Sequence, residues 1–320
     1  MTASLRKPPR AIVMLGAQRF DPTLRAAMDD LAVEGRIATI TAGWQELETE
    51  DQELDEHLGR RTVNLRVWER VEQVFREDPE LHAAHRRRQE MLRLRQDFYR
   101  IRIEHELAAA QVIQNRKAPP EALAAERDAS VQAIRDLDTR HLAGCARIRD
   151  DFDAACRPLE REAVARQRRE IERLLADTTA LAIAGGHVAA LVNRMDLLGI
   201  AGLIDGHAVL AWSAGAMAIS ERVVLFHDAP PQGPGVAEVL DRGLGISTGV
   251  VPLPQPETRL RLDDPDRVSG MARRFAPALC LALPARARLT RRDDRWEQAS
   301  GVVRLLLDGR CAPLTPSAQA

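Results

Sequence analysis

The chain has 320 residues, 46 Lys and Arg against 47 Asp and Glu, a net charge of −1 and 3% aromatic residues. That length holds one large domain or two ordinary ones. Balanced charge and few aromatics exclude a broad basic nucleic-acid surface and a base-stacking platform. No run approaches the roughly 20 apolar residues of a membrane span, and the short apolar N-terminal run reads as a strand rather than a signal segment. The expected location is the cytoplasm.

In chain order, AIVMLG (11–16) reads as a buried strand, PTLRAAMDDLAVEG (22–35) as an amphipathic helix ended by glycine, and RIATITAG (36–43) as a second strand. From about Glu46 to Asp177 strand signals vanish. One stretch there carries Met91, Leu94, Phe98, Ile101, His105, Ala108 and Val112 at alternating spacings of three and four. A second carries Val131, Ile134, Asp138, His141, Cys145, Ile148, Phe152, Ala155 and Leu159 in the same way. KAPPE (117–121) separates them, so the expectation is an antiparallel, coiled-coil-like helical hairpin with arms of roughly 50 Å, projecting from the body. Pro158 is expected to interrupt the returning arm.

From Ala180 the segments LAIAGG, HAVLAW, RVVLF, ISTGVVPLP, ALCLAL and VVRLLLDG alternate with helical stretches. Short buried strands alternating with helices predict an α/β three-layer sandwich with a mainly parallel central sheet. The expected organisation is a discontinuous α/β domain from 1–45 and 178–312, a helical insertion over 46–177, and a disordered tail over 313–320.

Cys145 and Cys156 fall on one arm roughly 16 Å apart, and no CxxC occurs, so free thiols in a reducing compartment are expected. His141 and Cys145 are four apart and, with His105, have the residue types of a metal site. A turn at 118–119 places His105 opposite roughly residue 132, well over a helical turn from His141. They read instead as polar residues that set register, and neither metal nor cofactor is expected.

Three segments carry a family resemblance: AIAGGHVAAL (182–191), AWSAGAMA (211–218) and GLGISTGVVPLPQPETRL (243–260). Together they resemble the S51 peptidases, which include dipeptidase E and the cyanophycinases, within the class I glutamine amidotransferase-like fold. The resemblance covers 11–43 and 180–310, not the hairpin. It implies that Ser213 is the nucleophile on a strand-to-helix elbow. It also implies that the amides of Gly186 and Ala214 form the oxyanion hole, two N–H groups aimed at one developing charge. Ala211 stands where the first glycine of G-x-S-x-G is usual, a change that a negative φ tolerates.

The other positions that the resemblance implies depart from the family. The histidine base follows a proline at a strand end, and here Val251-Pro252-Leu253-Pro254 leads to Gln255. Glutamine accepts no proton at neutral pH. The acid follows a Leu-Pro segment, and Leu283-Pro284 leads here to Ala285. His187 directly follows Gly186. His227 and Asp228 fall where dipeptidase E-like members have an Asn-Asp pair followed by proline, with Pro230 behind them. By that resemblance Asp228 is a substrate contact, and His187 and His227 are candidate substitute bases.

The expectation is therefore an S51-like protein that has lost triad catalysis and acts as a binding or scaffold protein through its hairpin. The alternative is a working serine hydrolase on small peptides or isopeptides with a rewired base. An amidotransferase is disfavoured, because that chemistry needs a cysteine at the elbow. The expected partner is a second copy of the chain or another protein on the hairpin, through apolar residues outside the seam: Leu92, Tyr99, Ile103, Leu107 and Ile113, with Leu137 and Leu142 on the second arm. A small peptide ligand is the other candidate, and neither nucleic acid nor a membrane is expected.

Overall fold

The computed structural model describes residues 8–228, 235–293 and 295–315. Pro230, residues 316–320 of the expected tail and the first seven residues lie outside them. The first half runs β1 (Ala11–Leu15), α1 (Leu24–Asp30), β2 (Arg36–Ile40), α2 (Gln52–His57), β3 (Thr62–Asn64) and α3 (Val67–Glu77). It continues through α4 (Pro79–Gln114), α5 (Pro120–Cys156) and α6 (Glu162–Ala176). After these come β4 (Thr178–Ile183), α7 (Val188–Leu197), β5 (Ala208–Trp212), α8 (Ala214–Ala218), β6 (Arg222–Leu225) and β7 (Glu238–Arg242). The last stretch is β8 (Val250–Pro254), α9 (Pro256–Arg259), α10 (Pro265–Phe275), β9 (Leu279–Leu283), β10 (Arg288–Arg292), β11 (Arg295–Ser300), β12 (Val303–Leu305) and β13 (Cys311–Pro313).

The fold is α/β, with a large, mostly parallel central sheet interrupted in sequence by a long helical region. Strand order is β11-β10-β1-β5-β4-β2-β3. The five strands from β1 to β3 run parallel, and β10 and β11 close one edge antiparallel. β1 and β5 are buried along their whole length, which is why they read as continuous aliphatic runs rather than alternating ones. A second sheet, β13-β12-β9-β8, pairs β8 and β9 in parallel, and β6 and β7 form a ribbon.

Residues 46–78, read from the sequence as part of the insertion, belong to the body: β3 extends the sheet beside β2, and α3 carries the buried Val67, Val71, Val74 and Phe75. Three residues are too few for a period of two to show. The tail also begins later than expected, since Pro313 lies in β13 and Leu314 is buried.

The hairpin itself is α4 and α5. Asp78 starts α4, its carboxylate accepting from Leu81 N at 2.9 Å, with Pro79 at the first helical position. α5 starts at Pro120 and ends where Arg157 turns left-handed ahead of Pro158. The hairpin lies along the body instead of projecting from it. The Tyr99 hydroxyl donates to Asp138 Oδ1 at 2.7 Å and accepts from Val239 N at 3.1 Å and Arg274 at 2.8 Å. Arg274 also holds both oxygens of Asp138, at 2.7 and 2.8 Å. Arg149 clamps Asp196 and Asp241 at 3.0 and 2.6 Å.

Two expectations about the hairpin are thereby corrected. Tyr99, Ile103 and Leu137 are buried within the chain's own core, with Leu107 and Leu142 packed against it, so they offer no outer docking face. The seam is as expected on α5, where Ile134, Asp138, His141, Cys145 and Phe152 are buried, but α4 is turned over. Met91, Leu94, Phe98, Ile101 and Val112 stand 44–65% exposed. α4 carries two apolar faces, and the body selected the one bearing Tyr99. His141 stacks on Tyr99 with ring centroids 4.2 Å apart and contacts the Leu240 carbonyl, a packing role.

Candidate functional site

β5 sits centrally between β1 and β4, and Ser213 follows its last residue. Ser213 has φ 51° and ψ −123°, a backbone region that a side-chain-bearing residue occupies only at a cost of order 1–3 kcal/mol. Its amide donates to Leu15 O at 3.4 Å, and α8 begins at Ala214. Ala211 is an ordinary buried strand residue, outside the positive-φ region, so the missing elbow glycine costs nothing there.

Beside the serine, β4 is followed by Gly185 and Gly186. A Cβ on Gly185 would stand 2.9 Å from Ser213 Cβ, so only glycine lets the two strand ends close up. Gly186 has φ 110°, and a Cβ there would meet the Gly43 carbonyl at 2.4 Å. Gly186, Ser213 and Ala214 line one cleft of about 1210 Å³, with Trp44, Trp212 and Phe226 as apolar walls and Arg19 and Arg259 as cations. Among the described residues, Ser213 Oγ makes no hydrogen bond.

Gln255 and Ala285, the positions that the resemblance reads as base and acid, follow adjacent strand ends, because β8 and β9 pair with Pro254 opposite Leu283. Gln255 takes a left-handed conformation (φ 55°), donates its amide to Leu283 O at 3.2 Å and lines the cleft. Ala285 is exposed, and its amide donates to Glu257 Oε1 at 3.3 Å.

The two candidate substitute bases part company. His187 does not line the cleft: Nδ1 caps α7 by accepting from Ala190 N at 3.1 Å. His227 does line it, half-buried, with Nδ1 buried and unpartnered. Asp228 faces elsewhere. Its carboxylate accepts from Arg267 at 3.0 Å and from Arg261 N at 3.0 Å, tying down its own loop on the wall of a second cavity of about 620 Å³.

Sequence reasoning missed His57. It ends α2, lines the same cleft, and its Nε2 is buried without a partner. Burial, helped by Arg25, holds its pKa below the usual imidazole value, so the ring is neutral and able to accept a proton at neutral pH. A six-residue helix shows too few turns for periodicity to say which way it faces. Glu257 was missed as well, because contact with the Ala285 amide needs the two strand ends side by side.

No family model and no curated protein matches the chain. Among solved structures, the chain is similar to that of a peptidase from an acI-B1 Actinobacterium, at 13% identity and a TM-score of 0.46, over 96% of this chain and 98% of that one.

Proposed function

We propose that this chain is an S51-like serine-hydrolase scaffold whose triad has been dismantled and whose cleft binds a small peptide-like ligand without cutting it. One observation carries this reading. A serine held in a strained elbow beside Gly186 has glutamine, not histidine, at the strand end where the base belongs. Gln255 takes no proton, and Ala285 orients nothing. The cleft remains suited to a short zwitterionic ligand, with Arg19 and Arg259 for a carboxylate and Glu50 and Glu53 for an amine.

The test is labelling with a fluorophosphonate probe, alongside assays on aspartyl dipeptides and cyanophycin-like polymer. The expected result is no Ser213-dependent labelling and no turnover, because removing a triad base typically costs on the order of 10⁴–10⁶ in rate. Gln255→His with Ala285→Asp is then expected to raise labelling at least ~100-fold. Histidine tolerates a left-handed backbone, which suits the conformation of position 255.

A second reading has its own support in the unpartnered nitrogens of His227 and His57 in the same cleft. In that reading the serine is served by a relocated base. Turnover by the wild type, abolished by Ser213→Ala and by His227→Ala or His57→Ala, would establish it and sink the first.

A further inference from the structure

Five of the nine large apolar side chains exposed among the described residues lie on α4: Met91, Leu94, Phe98, Ile101 and Val112. With the exposed His105 and Ala108 they repeat at alternating intervals of three and four, which puts them in one stripe roughly 32 Å long. The opposite side of the same helix, through Gln96, Tyr99 and Ile103, is buried on the body. The stripe is therefore additional to what α4 needs for its own packing. Contiguous exposed apolar surface of this kind marks an interaction site.

The charges beside the stripe identify its occupant. Glu90, Asp97 and Glu104 each directly precede a stripe residue and form an acidic edge. Arg95 and Arg102 each directly follow one and form a basic edge on the other side. Arg102 is exposed, whereas Arg95 is half-buried, its guanidinium turned onto α5 over Gly144 and donating to the His141 carbonyl at 3.0 Å and to the Arg140 carbonyl. In a parallel helix pair, the residue before one core position meets the residue five further along the other helix. Asp97 then meets the partner's exposed Arg102, and Glu90 comes opposite the partner's position 95, whose arginine is shared with the α5 carbonyls. An antiparallel pair sets acid against acid and base against base. The surface is complementary to itself in one orientation only.

We infer that this chain forms a two-fold dimer in which α4 pairs in parallel with α4 of a second copy along the Met91–Val112 stripe. Burial of the stripe supplies affinity and the edges select the orientation, since exposed ion pairs contribute little energy on their own. None of the stripe residues lines the cleft that holds Ser213, and Ala108 alone of them lines the second cavity, so the inference is independent of how Ser213 is read.

Sedimentation of the full-length protein at tens of micromolar is expected to give twice the 35.5 kDa chain mass. Phe98→Glu with Ile101→Glu is expected to weaken association at least ~100-fold and leave the circular dichroism spectrum unchanged, because both side chains are more than half exposed. Leu94→Cys in a Cys311→Ser background reports orientation. Identical positions face each other in the parallel pair, so mild oxidation yields a covalent dimer. In an antiparallel pair centred on the stripe, residue 94 lies about 22 Å from its copy. A monomeric wild type, a dimer indifferent to the two glutamates, or a dimer that Leu94→Cys does not cross-link would each overturn the inference.

Discussion

Residue 85 shows how burial converts one side chain into a pH dependence. His85 is 6% exposed, its ring between Phe75 and Phe152 at 4.9 and 6.2 Å, and its Nε2 has no partner. Burial, with Arg88 and Arg194 nearby, lowers its pKa to about 2. The unfolded chain binds a proton at this ring below the ordinary histidine pKa, and the folded chain does not. The contribution of His85 to stability is therefore complete above about pH 6.5 and is lost progressively as pH falls toward 2, at a limiting slope of about 1.4 kcal/mol per pH unit. His85→Leu is expected to flatten urea-derived stability between about pH 6 and 3 by close to one proton. An unchanged slope would assign the acid limb to other groups.

Individual elements divide between those defined by local sequence and those defined by distant contacts. The ends of α4 and α5 follow from Asp78, Pro79, Pro120 and the turn at Arg157, all chemistry within a few residues. Their orientation on the body depends on the buried triad of Tyr99, Asp138 and Arg274. Removing one member of a buried ion pair strands the other charge, so Asp138→Ala is expected to cost about 3–5 kcal/mol in denaturant unfolding. Tyr99→Phe removes only the hydroxyl and is expected to cost about 1–3 kcal/mol. If Asp138→Ala proved as mild as an exposed substitution, α4 would be held in place by apolar packing alone.

Of the two apolar cores of the molecule, the hairpin shares the larger with the body. Ile103, Ile134, Leu137 and Phe152 of the hairpin belong to the same apolar cluster as Met14, Ile40, Val209 and Leu281 of the body. Joining residue 78 to 157 through a short linker is therefore expected to expose a large apolar surface. The product should bind ANS and lose its cooperative thermal transition. A soluble product with a sharp melt would make the hairpin an autonomous attachment, as the heptad pattern alone suggested.

What the sequence determined by itself is what neighbouring residues enforce. Aliphatic runs mark β1, β2, β4 and β5, prolines mark the hairpin turn, and Ser213 between a buried strand and small residues marks the elbow. The segments that lead to Gln255 and Ala285 were legible as strand ends because each is an apolar run closed by proline. The tertiary structure alone decided which apolar face of α4 turned inward, that 62–64 is a strand, and that His57 and His227 rather than His187 reach the serine's cleft. The reason is separation along the chain. The Tyr99 hydroxyl meets Val239 N across 140 positions and Arg274 across 175, and no periodic pattern within one helix encodes a choice made by residues so far away.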